Sequence, residues 1–223
     1  MTPVRITHRL AAAAALLFAA HAHAASLLVI AVDRDGKPLA DAVITVHVPG
    51  ATARPPAKPL AVVQEDFAFK PFVTVVAAGT PMLFPNRDRV AHHLRATSNE
   101  YAFEFPIYEP GRTPAAVTLD KVGTIQLNCL IHTSMRAYVR VVDTPFAAVT
   151  DEHGTARFDG VPDGTFEVRG WHPDLILQAP RIEVRFGATP ANVQMKFPLA
   201  PQPRPQPRPR RPAADPYEQR VPS

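Results

Sequence analysis

The sequence predicts an all-β protein, and three observations carry that prediction. Apolar residues come in short runs, many of them alternating with polar ones. Gly, Pro and Asp punctuate the runs. No long stretch spaces its apolar residues as an amphipathic helix does. Many short strands with turn signals between them point to sandwiches or barrels.

The chain divides in order. Arg5 and Arg9 flank an apolar run over 10–20, and Ala22-His23-Ala24 supplies an A-x-A-like cleavage site, so 1–24 reads as a secretory signal peptide. The run is too short for a membrane span and no second one follows, which predicts an exported, periplasmic, non-transmembrane protein. Strands are expected at 27–32 and 42–48 around an Asp35-Gly36 turn. The proline-rich stretch 49–59 reads as a linker. Strands then follow at 72–77, 82–84, 92–96, 116–119, 124–128 and 137–142. The aromatic stretch 101–110 fits an exposed docking patch and a buried crossover equally. Further strands are expected at 147–150, 155–158, 165–171, 181–186 and 193–197, with turns at Asp151 to Gly154 and at Asp163-Gly164. From 199 onward proline alternates with arginine, which cannot build a core, so 199–223 is expected to be a disordered tail.

The formal charge of +4 is concentrated at the ends. Arg5 and Arg9 belong to the signal, and the tail carries five arginines against Asp215 and Glu218. Without both ends the middle is near neutral, at about −1, and offers no basic face for nucleic acid.

The chain has one cysteine, Cys129, so it forms no intramolecular disulfide. It stands in Asn128-Cys129-Leu130-Ile131-His132-Thr133-Ser134-Met135. The Cys-x2-His-x2-Met spacing puts a thiolate, an imidazole and a thioether on one tight loop. Soft sulfur with imidazole suits copper. Ile125, Leu127 and Cys129 share a strand parity, which turns Cys129 inward at the end of an apolar row. His92 shares its parity with Leu94 and Ala96, whereas His93 shares its own with Arg95 and Thr97. His92 is therefore the better ligand candidate, and His93 the alternative. Taken alone, Met135 reads as core filler.

Other chemistries fit poorly. A structural zinc site wants four N, S or O ligands. A cysteine hydrolase needs a base and an oxyanion hole, and no third member accompanies Cys129 and His132. Multicopper enzymes need more histidines, and past residue 24 there is no His-x-His pair. The chain is expected not to be an enzyme by itself.

Residues 73–94 carry V-x-V, Gly79, Phe84, Asn86, Asp88 and His92, and residues 123–141 carry Gly123, Cys129, His132, Met135 and a following V-x-V. In order and spacing these resemble the two halves of a cupredoxin, with an amicyanin-like ligand loop. The resemblance implies a Greek-key β-sandwich over 60–143 holding one copper ion (Cu+/Cu2+). It also implies His92, Cys129 and His132 as the trigonal ligands and Met135 as the weak axial one. His132 would present its edge to solvent as the electron exit. Asn86 and Asp88 are read as braces for the ligand loops. The implied activity is one-electron transfer by a monomer to a redox protein partner, a dehydrogenase or a cytochrome. The alternative is a periplasmic copper carrier or store with the same ligands.

The flanks carry a second resemblance. Residues 29–46 and 148–168 share Asp-x-x-Gly turn chemistry and resemble two parts of a carboxypeptidase-regulatory-like (transthyretin-like) sandwich. This implies a smaller β-sandwich made of 26–50 and 144–198, with the copper domain inserted. The other reading makes 26–50 an N-terminal strand pair of the copper domain. The arrangement resembles periplasmic cupredoxins of the methylamine-utilization type.

Overall fold

The computed structural model describes residues 25–204, Leu177 excepted. The expected signal segment and residues 205–223 of the expected tail lie outside the described residues. The described residues form β1 (Ala25–Val32), β2 (Val43–His47), β3 (Leu60–Ala61), β4 (Val63–Glu65), β5 (Ala68–Lys70), β6 (Val73–Ala77), β7 (Thr80–Leu83), β8 (His92–Thr97) and β9 (Ala102–Tyr108). These are followed by β10 (Val117–Leu119), β11 (Gly123–Cys129), β12 (Arg136–Val142), β13 (Ala147–Val149), β14 (Thr155–Val161), β15 (Gly164–Trp171), β16 (Arg181–Phe186) and β17 (Ala191–Lys196). The protein is all-β, and among the described residues no helix is long and apolar enough to cross a membrane.

The strands build two cores. One is buried between the sheet β14-β1-β17 and the sheet β13-β2-β15-β16. Its residues come from both flanks of the chain, with Leu27, Val29, Ile44 and Val46 packed among Phe158, Val168, Phe186 and Phe197. β1 runs antiparallel to β14 and parallel to β17, and β2 is antiparallel to both β13 and β15. The residues that enforce this are the expected turn formers. Asp33 Oδ1 accepts the N–H of Asp35 and of Lys37, each at 2.9 Å, and Gly36 takes the left-handed φ of 79°. Asp151 Oδ1 does the same for His153 and Thr155, with Gly154 at φ 72°. Thr150 ties the flanks together: its hydroxyl accepts from Ala42 N–H at 2.9 Å and donates to Leu39 C=O at 2.7 Å.

The second core lies under the five-stranded sheet β6-β12-β11-β8-β9 and the smaller sheet β10-β7-β3. Alternation does the sorting. In β11 the buried residues are Ile125, Leu127 and Cys129, and in β12 they are Ala137, Val139 and Val141, joined at the strand end by Val142. β8 lies beside β11, with Leu94 opposite Cys129. This pairing sets a histidine strand next to the cysteine strand.

Three stretches differ from the sequence expectation. Residues 101–110 form neither a free patch nor a crossover but an edge strand, β9. Phe103 and Phe105 turn toward Phe84, with ring centroids 5.7 and 6.0 Å away, and Ile107 faces out. Pro106 is tolerated because an edge strand needs donors on one side only. Residues 60–70, given no strands by the sequence, contribute β3 and the β4–β5 hairpin. Of the expected tail, 199–204 lies along the fold. Leu199 is buried, Gln202 N–H donates to Asp174, and Arg204 pairs with Asp41 and lies over the Phe72 ring.

Candidate metal centre

Three side chains converge at one end of the second core. His92 starts β8, Cys129 ends β11, and His132 sits on the loop that leads to β12. His92 Nδ1 lies 3.1 Å from His132 Nδ1, and Cys129 Sγ lies 3.7 Å from the first and 3.5 Å from the second. A point in their plane about 2.0 Å from all three atoms exists, close to the ~2.0–2.1 Å of a metal–imidazole bond and short of the ~2.3 Å of metal–thiolate. The donor set is one thiolate and two imidazoles, which is a soft, three-coordinate arrangement. On distance and on chemistry these residues fit a copper ion.

Each ligand is held by local structure. Cys129 is buried at the end of its strand, and its N–H donates to Met135 C=O at 3.1 Å. Met135 N–H donates in turn to His132 C=O at 2.9 Å, so the loop is a closed turn. Leu130 N–H donates to His93 C=O at 3.0 Å and ties the loop to β8. Met135 is buried in the same core as Cys129. His92 is fully buried, whereas His132 is partly exposed, flanked on the loop by exposed Leu130 and Ile131. His93 points away from the cluster and bonds Glu104 at 2.6 Å.

Asp88 orients His92. Its Oδ2 accepts from His92 Nε2 at 2.8 Å, which leaves Nδ1 to face the sulfur. The same carboxylate accepts the N–H of Asp66 at 2.7 Å and of Phe67 at 3.0 Å. These two residues form the β4–β5 turn, both with left-handed φ, 55° and 57°. A bulky residue at positive φ is rare, and the turn normally takes Asn-Gly. The clamp sets the Phe67 ring edge-on to His132, with centroids 5.1 Å apart, and to His92, at 6.2 Å. Asn86 completes the brace: its Oδ1 accepts from Asp88 N–H, and its amide donates to Val90 and Tyr108 carbonyls.

The electrostatics favour a charged pair. Burial acts to raise the Cys129 pKa, but the His92 hydrogen bond and the N–H groups of His93, Ile131 and His132 outweigh it, so the thiol is held below its ordinary value. Burial acts to lower the His92 pKa, and the Cys129 sulfur and Asp88 outweigh it in the other direction. A donor set already inclined to thiolate needs little further cost to bind a cation.

Parity in β8 and β11 pointed to His92 and Cys129, and the loop spacing to His132. Sequence reasoning did not find Phe67, because nothing in 60–70 announces a turn without glycine.

No protein-family model matches the chain, and no curated protein sequence is similar to it. Among the solved structures it resembles are two cupredoxins and a copper-containing nitrite reductase. A purple cupredoxin from Nitrosopumilus maritimus is 17% identical over 37% of this chain and 99% of its own, with a TM-score of 0.34. A reduced variant of amicyanin is 18% identical over 44% of this chain and 98% of its own, with a TM-score of 0.36. A copper-containing nitrite reductase from Thermus scotoductus SA-01 is 25% identical over 50% of this chain but only 28% of its own, with a TM-score of 0.37. At these scores the likeness carries no weight beside the geometry of the side chains.

Proposed function

We propose that this protein is an exported, periplasmic, mononuclear copper protein that passes single electrons between redox partners. The observation that carries the reading is the triangle of His92 Nδ1, His132 Nδ1 and Cys129 Sγ. A copper ion bound there would supply a Cu(I)/Cu(II) couple. Cys129 offers a thiolate held ready by its neighbours. His92 is fixed at both nitrogens, one toward Asp88 and one toward the sulfur, so it moves little when charge changes. His132 sits at the partly exposed edge, the shortest route from the cluster to a docked partner. Met135, buried below the loop, is proposed as the weak axial ligand. The flanking core, with its Asp-x-x-Gly turns, is proposed as a carboxypeptidase-regulatory-like sandwich into which the copper domain is inserted.

The test is Cu(II) titration of the protein, followed by visible absorption and electron paramagnetic resonance. One intense thiolate-to-copper band at one-to-one stoichiometry is expected, and Cys129→Ser abolishes it. A strong band that survives Cys129→Ser would sink the assignment. Met135→Leu should retain copper and raise the potential; complete loss of copper would count against an axial role.

A further inference from the structure

A cavity of about 200 Å³ lies between the two sandwiches. Arg140 of β12 enters it from one side and Trp171 of β15 from the other, with the guanidinium 5.7 Å from the ring centroid. Val43, Val122 and Val142 complete an apolar wall. Thr45 and His47 of β2 add a polar edge, their hydroxyl and Nε2 3.2 Å apart.

Arg140 is the unusual member. A guanidinium carries five N–H donors. One of them reaches Thr124 Oγ1 at 2.6 Å, and among the described residues Arg140 has no ion pair. Glu100 is the carboxylate whose field it feels, without contact. Burial pushes its pKa down, the mark of a charge short of compensation. The cavity's other arginine, Arg169, is already matched by Glu167. Asp143, also at the cavity wall, acts on His47 and Arg169. Burial, and then Arg169, hold His47 below its ordinary pKa, so it serves as a neutral hydrogen-bonding group.

We propose that this cleft binds the carboxylate of a small, singly charged organic acid, with Arg140 as counter-charge and Trp171 and the valines against its apolar body. One uncompensated cation matches one negative charge, and Asp143 disfavours a second. The apolar wall favours an organic body over inorganic phosphate. A planar guanidinium takes a carboxylate through two parallel bonds. Sites of this kind are common where two packed units meet.

Trp171 is the only tryptophan of the chain, so its fluorescence reports on this cleft directly. The metal-free full chain is titrated with benzoate, and in parallel with benzamide and inorganic phosphate. Benzoate is expected to give a saturable fluorescence change with one-to-one heat by calorimetry, while benzamide and phosphate give none. Arg140→Gln should weaken benzoate at least tenfold, and Arg157→Gln, on a different sheet, should leave it unchanged. Should Arg140→Gln fail to fold, Val122→Phe, which crowds the cavity wall and adds no second tryptophan, is expected to block benzoate instead. Absence of a saturable response to millimolar benzoate in the unmodified protein would overturn the proposal and leave Arg140 as a clasp between the sandwiches. An equal response to benzamide would overturn the role of charge.

Discussion

Replacing Asp88 should damage both the fold and the metal centre, by an amount the structure fixes. Its carboxylate accepts three N–H groups: Asp66 and Phe67 in the β4–β5 turn and Nε2 of His92. The turn donors lie in partly exposed residues, so each lost bond is worth about 1 kcal/mol. His92 is fully buried, and leaving its Nε2 unpartnered costs about 2 kcal/mol. Asp88→Ala should therefore lower the stability of the metal-free protein by about 3–4 kcal/mol, read from urea unfolding. Asp88→Asn keeps one acceptor oxygen but turns an NH2 group toward at least one donor, so it should fall between. Copper affinity, measured by competition with a chelator, should drop roughly 10–100-fold in both, because the imidazole loses its orienting partner. The reasoning is refuted if Asp88→Ala loses under about 1 kcal/mol and binds copper as tightly as the unmodified protein.

Phe67→Gly suits the left-handed backbone and deletes the ring, so the melting point should hold while a thiol reagent labels Cys129 of the metal-free protein several-fold faster; an unchanged rate would show that the ring does not cover the site. Gly154→Ala should cost about 3 kcal/mol in urea unfolding, since its Cβ would sit 2.4 Å from Ala31 O at a φ of 72°. Gly36→Ala, at φ 79° with nothing within 4 Å, should cost only about 1 kcal/mol, and equal losses would contradict the clash. Burial pushes the Tyr108 phenol up to about 12, the Gln64 hydrogen bond opposing and Cys129 adding. The unfolded phenol ionises first, near 10, so this contribution is full below about pH 10 and is lost as pH rises toward 12. Tyr108→Phe should flatten that alkaline fall in stability; an unchanged slope would assign it to other groups.

The strands that carry the site were readable because their burial alternates cleanly. Ile125, Leu127 and Cys129 announce an inward row, and Arg95 marks the outward face that His93 shares. What hid was structure made by contacts remote in sequence. Asp66 and Phe67 sit in a turn that the propensity of Phe67 opposes, and a carboxylate about twenty residues away stabilises it. β9 hid because Pro106 and dense aromatics fit several environments, and only the free edge of β8 decides among them. Asp88 was legible as a brace but not as the partner of His92, since a four-residue separation outside a helix says nothing about orientation.

The pairing of the flanks has a consequence for biosynthesis. β1 and β2 leave the ribosome early, yet Leu27 waits for Phe158 and Thr45 for Ala147 before either strand has its neighbour. At roughly 5–20 residues per second, that delay is on the order of ten seconds. Val29, Ile44 and Val46 stay uncovered throughout, while the sheet around Cys129 draws its strands from consecutive chain and can close first. A nascent chain stalled after Val142 would thus carry a complete metal-binding core and two sticky strands. Chaperone engagement should track that first segment, not the cysteine loop.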